Sequence, residues 1–205
     1  LMCGAAHALN APRSLVKFLR RMKAAGYGLE RLPADEEELL GWLVDHGRQM
    51  GTWEPGHLDR LARSGKAVLV PQEKYRQWFE EKVPKPQQEL MKQHWGEAPG
   101  EIMVWSSEGQ RFLVLPQVDL GHVVLVTQPP KGETITASMQ KNDLQESALP
   151  PTHHFLATYF WMQEEFGADA LVHFGSHGSE WLFPGKPAVL SRADWSDMMI
   201  GDLPN

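Results

Sequence analysis

The spacing of apolar residues changes at Gly96-Glu97-Ala98-Pro99-Gly100. This limits the chain to a fold that joins a mainly helical region, residues 1–95, to an α/β region, residues 96–205. Upstream of the change, apolar residues recur three and four apart. Asn10 is placed to cap a helix with Pro12 in its first turn; Leu15, Leu19 and Met22 share one face, and Gly26 stops it. A second helix is predicted over residues 35–49. Asp35, Glu36, Glu37 and Glu38 lie at the positive end of its dipole, and Leu39, Leu40, Leu43 and Val44 form its buried stripe. Further helices are predicted over 55–64, over 72–82, which buries Tyr75, Trp78 and Phe79, and over 87–95.

Downstream the period shortens. Residues 102–105, 112–115 and 123–127 are short apolar runs set between Gly, Pro, Ser and Asp, the pattern of strands. Residues 128–151 are rich in Pro, Gly, Lys and Asn and read as a mobile loop. Thr152 then caps a helix over 153–166, Gly167 makes a tight turn, 170–174 reads as a buried strand, and 194–200 as a last short helix. The fold class is α/β, with mixed helical and short-strand layers. The chain opens on Leu1 without an initiator and stops just after a Gly201-Asp202-Leu203-Pro204 turn, so it reads as a fragment of a larger multidomain protein.

Composition narrows the function. A net charge of -6 without a Lys/Arg-rich run argues against nucleic acid as a partner, since counterion displacement needs a basic stripe. Cys3 is the single cysteine, which excludes an internal disulfide and a cysteine-based zinc cage. No apolar run approaches the roughly 20 residues of a membrane span. A soluble, cytoplasmic protein is expected.

Four of the nine histidines, His153, His154, His173 and His177, fall in one stretch that also carries Glu180 and Lys186. They lie at a helix start and at the end of an apolar run, where α/β folds usually keep their chemistry. His173 and His177 are four apart, like a helical zinc pair. Phe174, however, stands where that motif needs a glutamate, and Gly175 and Gly178 break any helix. Gly175-Ser176-His177-Gly178-Ser179 with Gly185-Lys186 has features of a phosphate loop, but Pro187 replaces the Mg²⁺-binding Ser or Thr and Glu180 replaces a glycine. The chain itself is therefore not expected to bind ATP. Plainer roles compete throughout. His153 and His154 suit a helix start whose imidazoles hydrogen-bond nearby loops, and His173 suits a core position. Tyr159, Phe160, Trp161, Trp181, Phe183 and Trp195 suit either a core or the walls of a flat aromatic ligand.

Three runs are spaced as in one known family: Pro151-Thr152-His153-His154, then the stretch from Gly167 through His173-Phe174-Gly175-Ser176-His177-Gly178-Ser179, then Pro184-Gly185-Lys186. Leu190-Ser191, Trp195, Asp197 and Ile200-Gly201-Asp202-Leu203-Pro204-Asn205 continue the pattern. In order and gaps the last third of the chain resembles the large subunit of the cobaltochelatase and magnesium chelatase H-subunit family. Trp95 to Gly100, Gly121-His122-Val123 and Gln128-Pro129-Pro130-Lys131-Gly132 resemble it more weakly.

The resemblance implies part of an ATP-dependent chelatase subunit that binds a tetrapyrrole and inserts Co²⁺, or less favoured Mg²⁺, in cobalamin or chlorophyll biosynthesis. Separate AAA+ subunits would hydrolyse the ATP, and the fragment alone is expected to be inactive. On this reading His177, Glu180 and His173 handle metal and protons, while His153, His154, Trp181 and Lys186 contact the macrocycle. One departure stands out. The family reads His-Gly-x-Leu-Glu-aromatic-x-Pro-Gly-Lys, whereas here Glu180 follows His177 by three residues and Trp181 occupies the usual acid position. Two alternatives are a non-catalytic tetrapyrrole-binding or assembly module and a metal-dependent hydrolase built on the histidine cluster.

Overall fold

The computed structural model describes residues 10–49, 54, 56–129, 149–175, 183 and 191–204. In chain order its elements are α1 (Ala11–Ala24), α2 (Glu36–His46), α3 (His57–Arg63), β1 (Val68–Pro71), α4 (Gln72–Lys82), α5 (Lys85–Trp95), β2 (Val104–Ser107), β3 (Gln110–Leu115), β4 (Val118–Asp119), β5 (Val124–Leu125), α6 (His153–Glu164) and α7 (Trp195–Ile200). Helices and small sheets are mixed, as the α/β reading requires. The chain forms two compact units that interleave along the sequence.

One unit takes in Leu1–Val68, Pro116–Thr127 and Phe174–His177. Its helices start where their side-chain caps dictate. Asn10 accepts a hydrogen bond from the Arg13 N–H at 3.0 Å, and Asp35 accepts from the N–H groups of Glu37 and Glu38, each at 3.0 Å. The apolar stripes of α1 and α2 close over the β4–β5 ribbon, burying Val16, Leu19, Leu29, Leu39, Leu43, Val118 and Leu120. Each such side chain contributes about 1.5–3 kcal/mol on burial. The stripe of α2 is narrower than its sequence suggests: Val44 is 50% exposed, because only Leu39 and Leu43 turn fully inward. Gly28 to Glu30 adds an edge to the ribbon through Glu30 N–H to Leu120 O and His122 N–H to Gly28 O, both 2.9 Å. Close approach is needed there. Gly121 has φ +94°, and a Cβ on it would lie 2.9 Å from the Gly28 carbonyl oxygen.

The other unit takes in Leu69–Leu115, Gln128–His173 and Gly178–Asn205. Its sheet has the order β1-β3-β2, with β2 and β3 antiparallel in the register Val104↔Leu113 to Ser107↔Gln110. The two-residue hairpin loop, Glu108-Gly109, has φ of 52° and 77°, the double left-handed signature of a type I′ turn. Helix α6 lies against β3 and α7. Ten consecutive residues, His153 to Met162, are buried, so α6 presents no solvent face along most of its length. Lys74 pairs with Glu165 and Lys82 with Glu164, joining α4 to the far end of α6.

Several sequence expectations are corrected. Residues 170–174 form no strand. Leu171 N–H reaches Pro204 O at 2.9 Å, but Val172 is 60% exposed and Phe174 41% exposed, so the apolar run is not a buried strand. A strand over 102–105 starts instead at Val104, because Met103 takes φ 56°, outside the extended region. The 123–127 run is a strand only at Val124–Leu125, and β1 and β4 occur where none was expected. Residues 130–148 of the expected 128–151 loop lie outside the described residues.

Two glycines should respond to alanine with opposite sign. Gly121→Ala is expected to destabilise by about 1–3 kcal/mol, through its positive φ and its contact with Gly28. Gly41→Ala, in the middle of α2 where an added Cβ meets nothing within 4 Å, is expected to stabilise by about 0.5–1 kcal/mol. Urea unfolding midpoints of the two variants check the pair.

Candidate functional site

The histidine-rich stretch begins in the first turn of α6. Thr152 sits in extended backbone and its hydroxyl accepts the Phe155 N–H at 3.1 Å, which fixes where the helix begins and makes His153 and His154 its first two residues. Both imidazoles point into the core.

His153 is held from two sides. Its Nε2 lies 3.1 Å from the Gly96 carbonyl and its Nδ1 lies 2.9 Å from the Tyr75 hydroxyl. A carbonyl only accepts, so Nε2 carries the proton and Nδ1 receives the Tyr75 O–H. The Tyr75 and Phe79 rings meet the imidazole edge-on at centroid distances of 5.6 and 5.1 Å. Gly100, at φ +69°, leaves the remaining side open, since a Cβ there would lie 3.0 Å from His153 Cδ2. Burial lowers the His153 pKa to about 4, against smaller raising effects from the Gly96 hydrogen bond and Glu97. Burial pushes the Tyr75 hydroxyl well above its usual range, so it remains a donor.

His154 is fully buried, and its Nε2 donates to Val114 O on β3 at 3.1 Å. Its Nδ1 is buried and has no hydrogen-bond partner among the described residues. Protonation there would place a charge in the core at the positive end of a helix, and burial lowers this pKa to about 4 as well. The Thr158 hydroxyl donates to the His154 carbonyl at 2.9 Å, one turn on. Both histidines are therefore neutral at pH 7. In this arrangement His153 has no free ring nitrogen for a ligand, and His154 has one bare lone pair enclosed in the core.

His173, another expected site residue, lies exposed on the irregular segment that follows Gly167. His177, Glu180, Trp181 and Lys186 lie outside the described residues. Among the described residues, no three His, Cys, Asp or Glu side chains converge where a metal ion could be held. Of the aromatic candidates, Tyr159, Phe160, Trp161, Phe183 and Trp195 are core; Phe155 stacks on Tyr159 at 5.4 Å and meets Phe183 edge-on at 4.9 Å. The partners of His153 are not legible in the sequence. Gly96 and Gly100 read there as punctuation, although they supply the carbonyl and the open space that seat its ring.

The architecture places the chain among the large metal-chelatase subunits. It matches the "Catalytic Subunit of Cobaltochelatase from Mycobacterium tuberculosis" with a TM-score of 0.77 at 30% sequence identity, over 94% of this chain and 16% of that one. The family model for CobN/Magnesium Chelatase matches residues 2–205, and the chain belongs to that family. The likeness thus runs well beyond the last third. The magnesium-chelatase H-subunit of Rhodobacter capsulatus is 32% identical over 207 residues, which is 98% of this chain and 15% of the relative. A protein of Methanocaldococcus jannaschii is 34% identical over 203 residues, again 98% of this chain and 15% of the relative. The chain therefore spans about 15% of the length of these curated relatives.

The two low histidine pKa values set a pH dependence. The folded value of about 4 lies below the usual 6.5, so between them the unfolded chain binds more protons. Stability is full above pH 6.5 and falls as the pH drops towards 4. With each pKa unit worth about 1.4 kcal/mol, the loss is about 3 kcal/mol per histidine at most. Urea midpoints measured from pH 7.5 to 4.5 should fall accordingly, and His153→Gln or His154→Gln should each flatten the slope. An unchanged slope in both variants would place the pH dependence elsewhere.

Proposed function

We propose that this chain is part of the large subunit of a chelatase that inserts a divalent metal, Co²⁺ in preference to Mg²⁺, into a tetrapyrrole. The observation that carries the reading is the family match over residues 2–205. Insertion needs the ion to shed water and the macrocycle to lose two pyrrole N–H protons, so the site must offer ligands and proton acceptors. His177 and Glu180 fill those roles, with His173 beside them in sequence; a neutral imidazole suits Co²⁺, and a carboxylate ligates or accepts a proton. Trp181 and Lys186 contact the macrocycle, Lys186 through one of its acidic or amide side chains. His154 and His153, whose ring nitrogens are engaged or enclosed in the core, serve the site by fastening the first turn of α6. ATP is hydrolysed by AAA+ partner subunits in the cytoplasm, and the chain alone does not complete the reaction.

A second reading is favoured by Trp181 at the position where the family carries its acid: a module that binds the tetrapyrrole for other subunits without inserting metal. Glu180→Gln in the complete subunit separates the two. If Glu180 takes part in insertion, the variant binds hydrogenobyrinic acid diamide or protoporphyrin IX as tightly as the parent, read by Trp quenching, while turnover with the ATPase subunits falls by two orders of magnitude or more. Unchanged turnover removes Glu180 from the mechanism. Binding by the parent with no metal-dependent change in the macrocycle's absorption band supports the assembly module.

A further inference from the structure

We propose that one face of α1, together with Phe174, forms a seat for the edge of the tetrapyrrole that bears its carboxylates. This rests on the function proposed above and assigns part of the substrate contact to a helix whose sequence reads as scaffold. Ser14, Lys17, Phe18 and Arg21 recur at intervals of three and four along α1, so they share one face, while Pro12, Val16 and Leu19 point into the core. With Arg20 and Phe174, that face lines an open groove of about 560 Å³.

Three observations indicate what the groove takes. First, its floor is aromatic and accessible. Phe18 and Phe174 are 37% and 41% exposed and their rings sit 5.9 Å apart at 35°, a surface suited to a flat conjugated ring. Second, its rim is cationic. Helix α1 carries Arg13, Lys17, Arg20, Arg21 and Lys23 and no acidic residue, in a chain whose net charge is -6. Arg20 is engaged with the Ala34 carbonyl and Lys23 with the Leu29 carbonyl, but among the described residues Lys17 and Arg21 have no acidic partner. Third, Phe174 directly follows His173 and stands three residues before His177, so the floor of the groove is continuous in sequence with the proposed insertion residues. An aromatic floor bordered by these two cations matches a planar ring whose periphery bears carboxylates. It does not match a neutral apolar segment, and an acidic peptide would leave the ring pair unused.

The test uses the complete subunit, titrated with protoporphyrin IX and with hydrogenobyrinic acid diamide, both of which carry carboxylates at neutral pH. Lys17→Glu/Arg21→Glu is expected to raise the Kd about tenfold or more and to weaken its dependence on salt, with an unchanged far-UV spectrum. Phe18→Ala is expected to raise the Kd without altering the salt dependence. Because both cations are exposed, Lys17→Gln/Arg21→Gln decides the matter if the reversed pair does not fold. Binding by the parent with an unchanged Kd in the charge variants overturns the groove and leaves the tetrapyrrole reading intact. Failure of the parent to bind either macrocycle overturns the tetrapyrrole reading itself.

Discussion

Helix α6 is buried on almost every side, and the unit around it is organised by the need to cover that helix while satisfying its polar groups. Hydrophobic burial of His153 to Met162 supplies the drive but not the direction, because apolar contact is indifferent to rotation by a residue. Direction comes from the first turn. The Thr152 cap fixes the start, His153 fastens it to the carbonyl that ends α5 and to Tyr75 on α4, and His154 fastens it to β3. Three elements are thereby referenced to one turn of helix, and a slip of α6 by one residue would strand two imidazoles in the core unpaired.

What was legible in the sequence was local. The cap at Asn10, the acidic start of α2, the aromatic stripe of α4 and the Thr152 cap are signals carried within four residues, and α1, α2, α4 and α6 begin within a residue or so of where they indicate. What failed depended on partners far along the chain. β1 is four residues ending in a proline and running straight into α4, too short to announce itself without β3 beside it. The 170–174 run is apolar, but an apolar run does not specify a neighbouring strand, and none takes it up among the described residues. The roles of His153 and His154 belong to the same class: Tyr75 and Gly96 lie 78 and 57 residues from His153, and Val114 lies 40 from His154. Of the candidate site, the plain reading that these two histidines hydrogen-bond nearby loops holds for His153 on Gly96, while the other partners, Tyr75 and Val114, lie on α4 and β3. The stretch over 176–190, outside the described residues but for Phe183, was legible only as a motif, through residue order and gaps.

These two environments divide the chemistry of the histidines. A proton acceptor in an insertion reaction at neutral pH works best when its pKa lies near the pH, because a much weaker base takes up the proton only at a cost. His153 and His154, lowered to about 4 by burial, are poor bases at pH 7; making them better ones would require water in the core of the unit. The same dryness makes them good fasteners, since a neutral imidazole offers one donor and one acceptor and carries no charge to solvate. His173, by contrast, meets solvent on the segment beyond Gly167. The buried pair holds the frame from which that segment departs. A substitution that rehydrated the α6 start would loosen the frame before it improved the base, so the buried pair and the exposed His173, neighbours in the sequence, are not interchangeable in the fold.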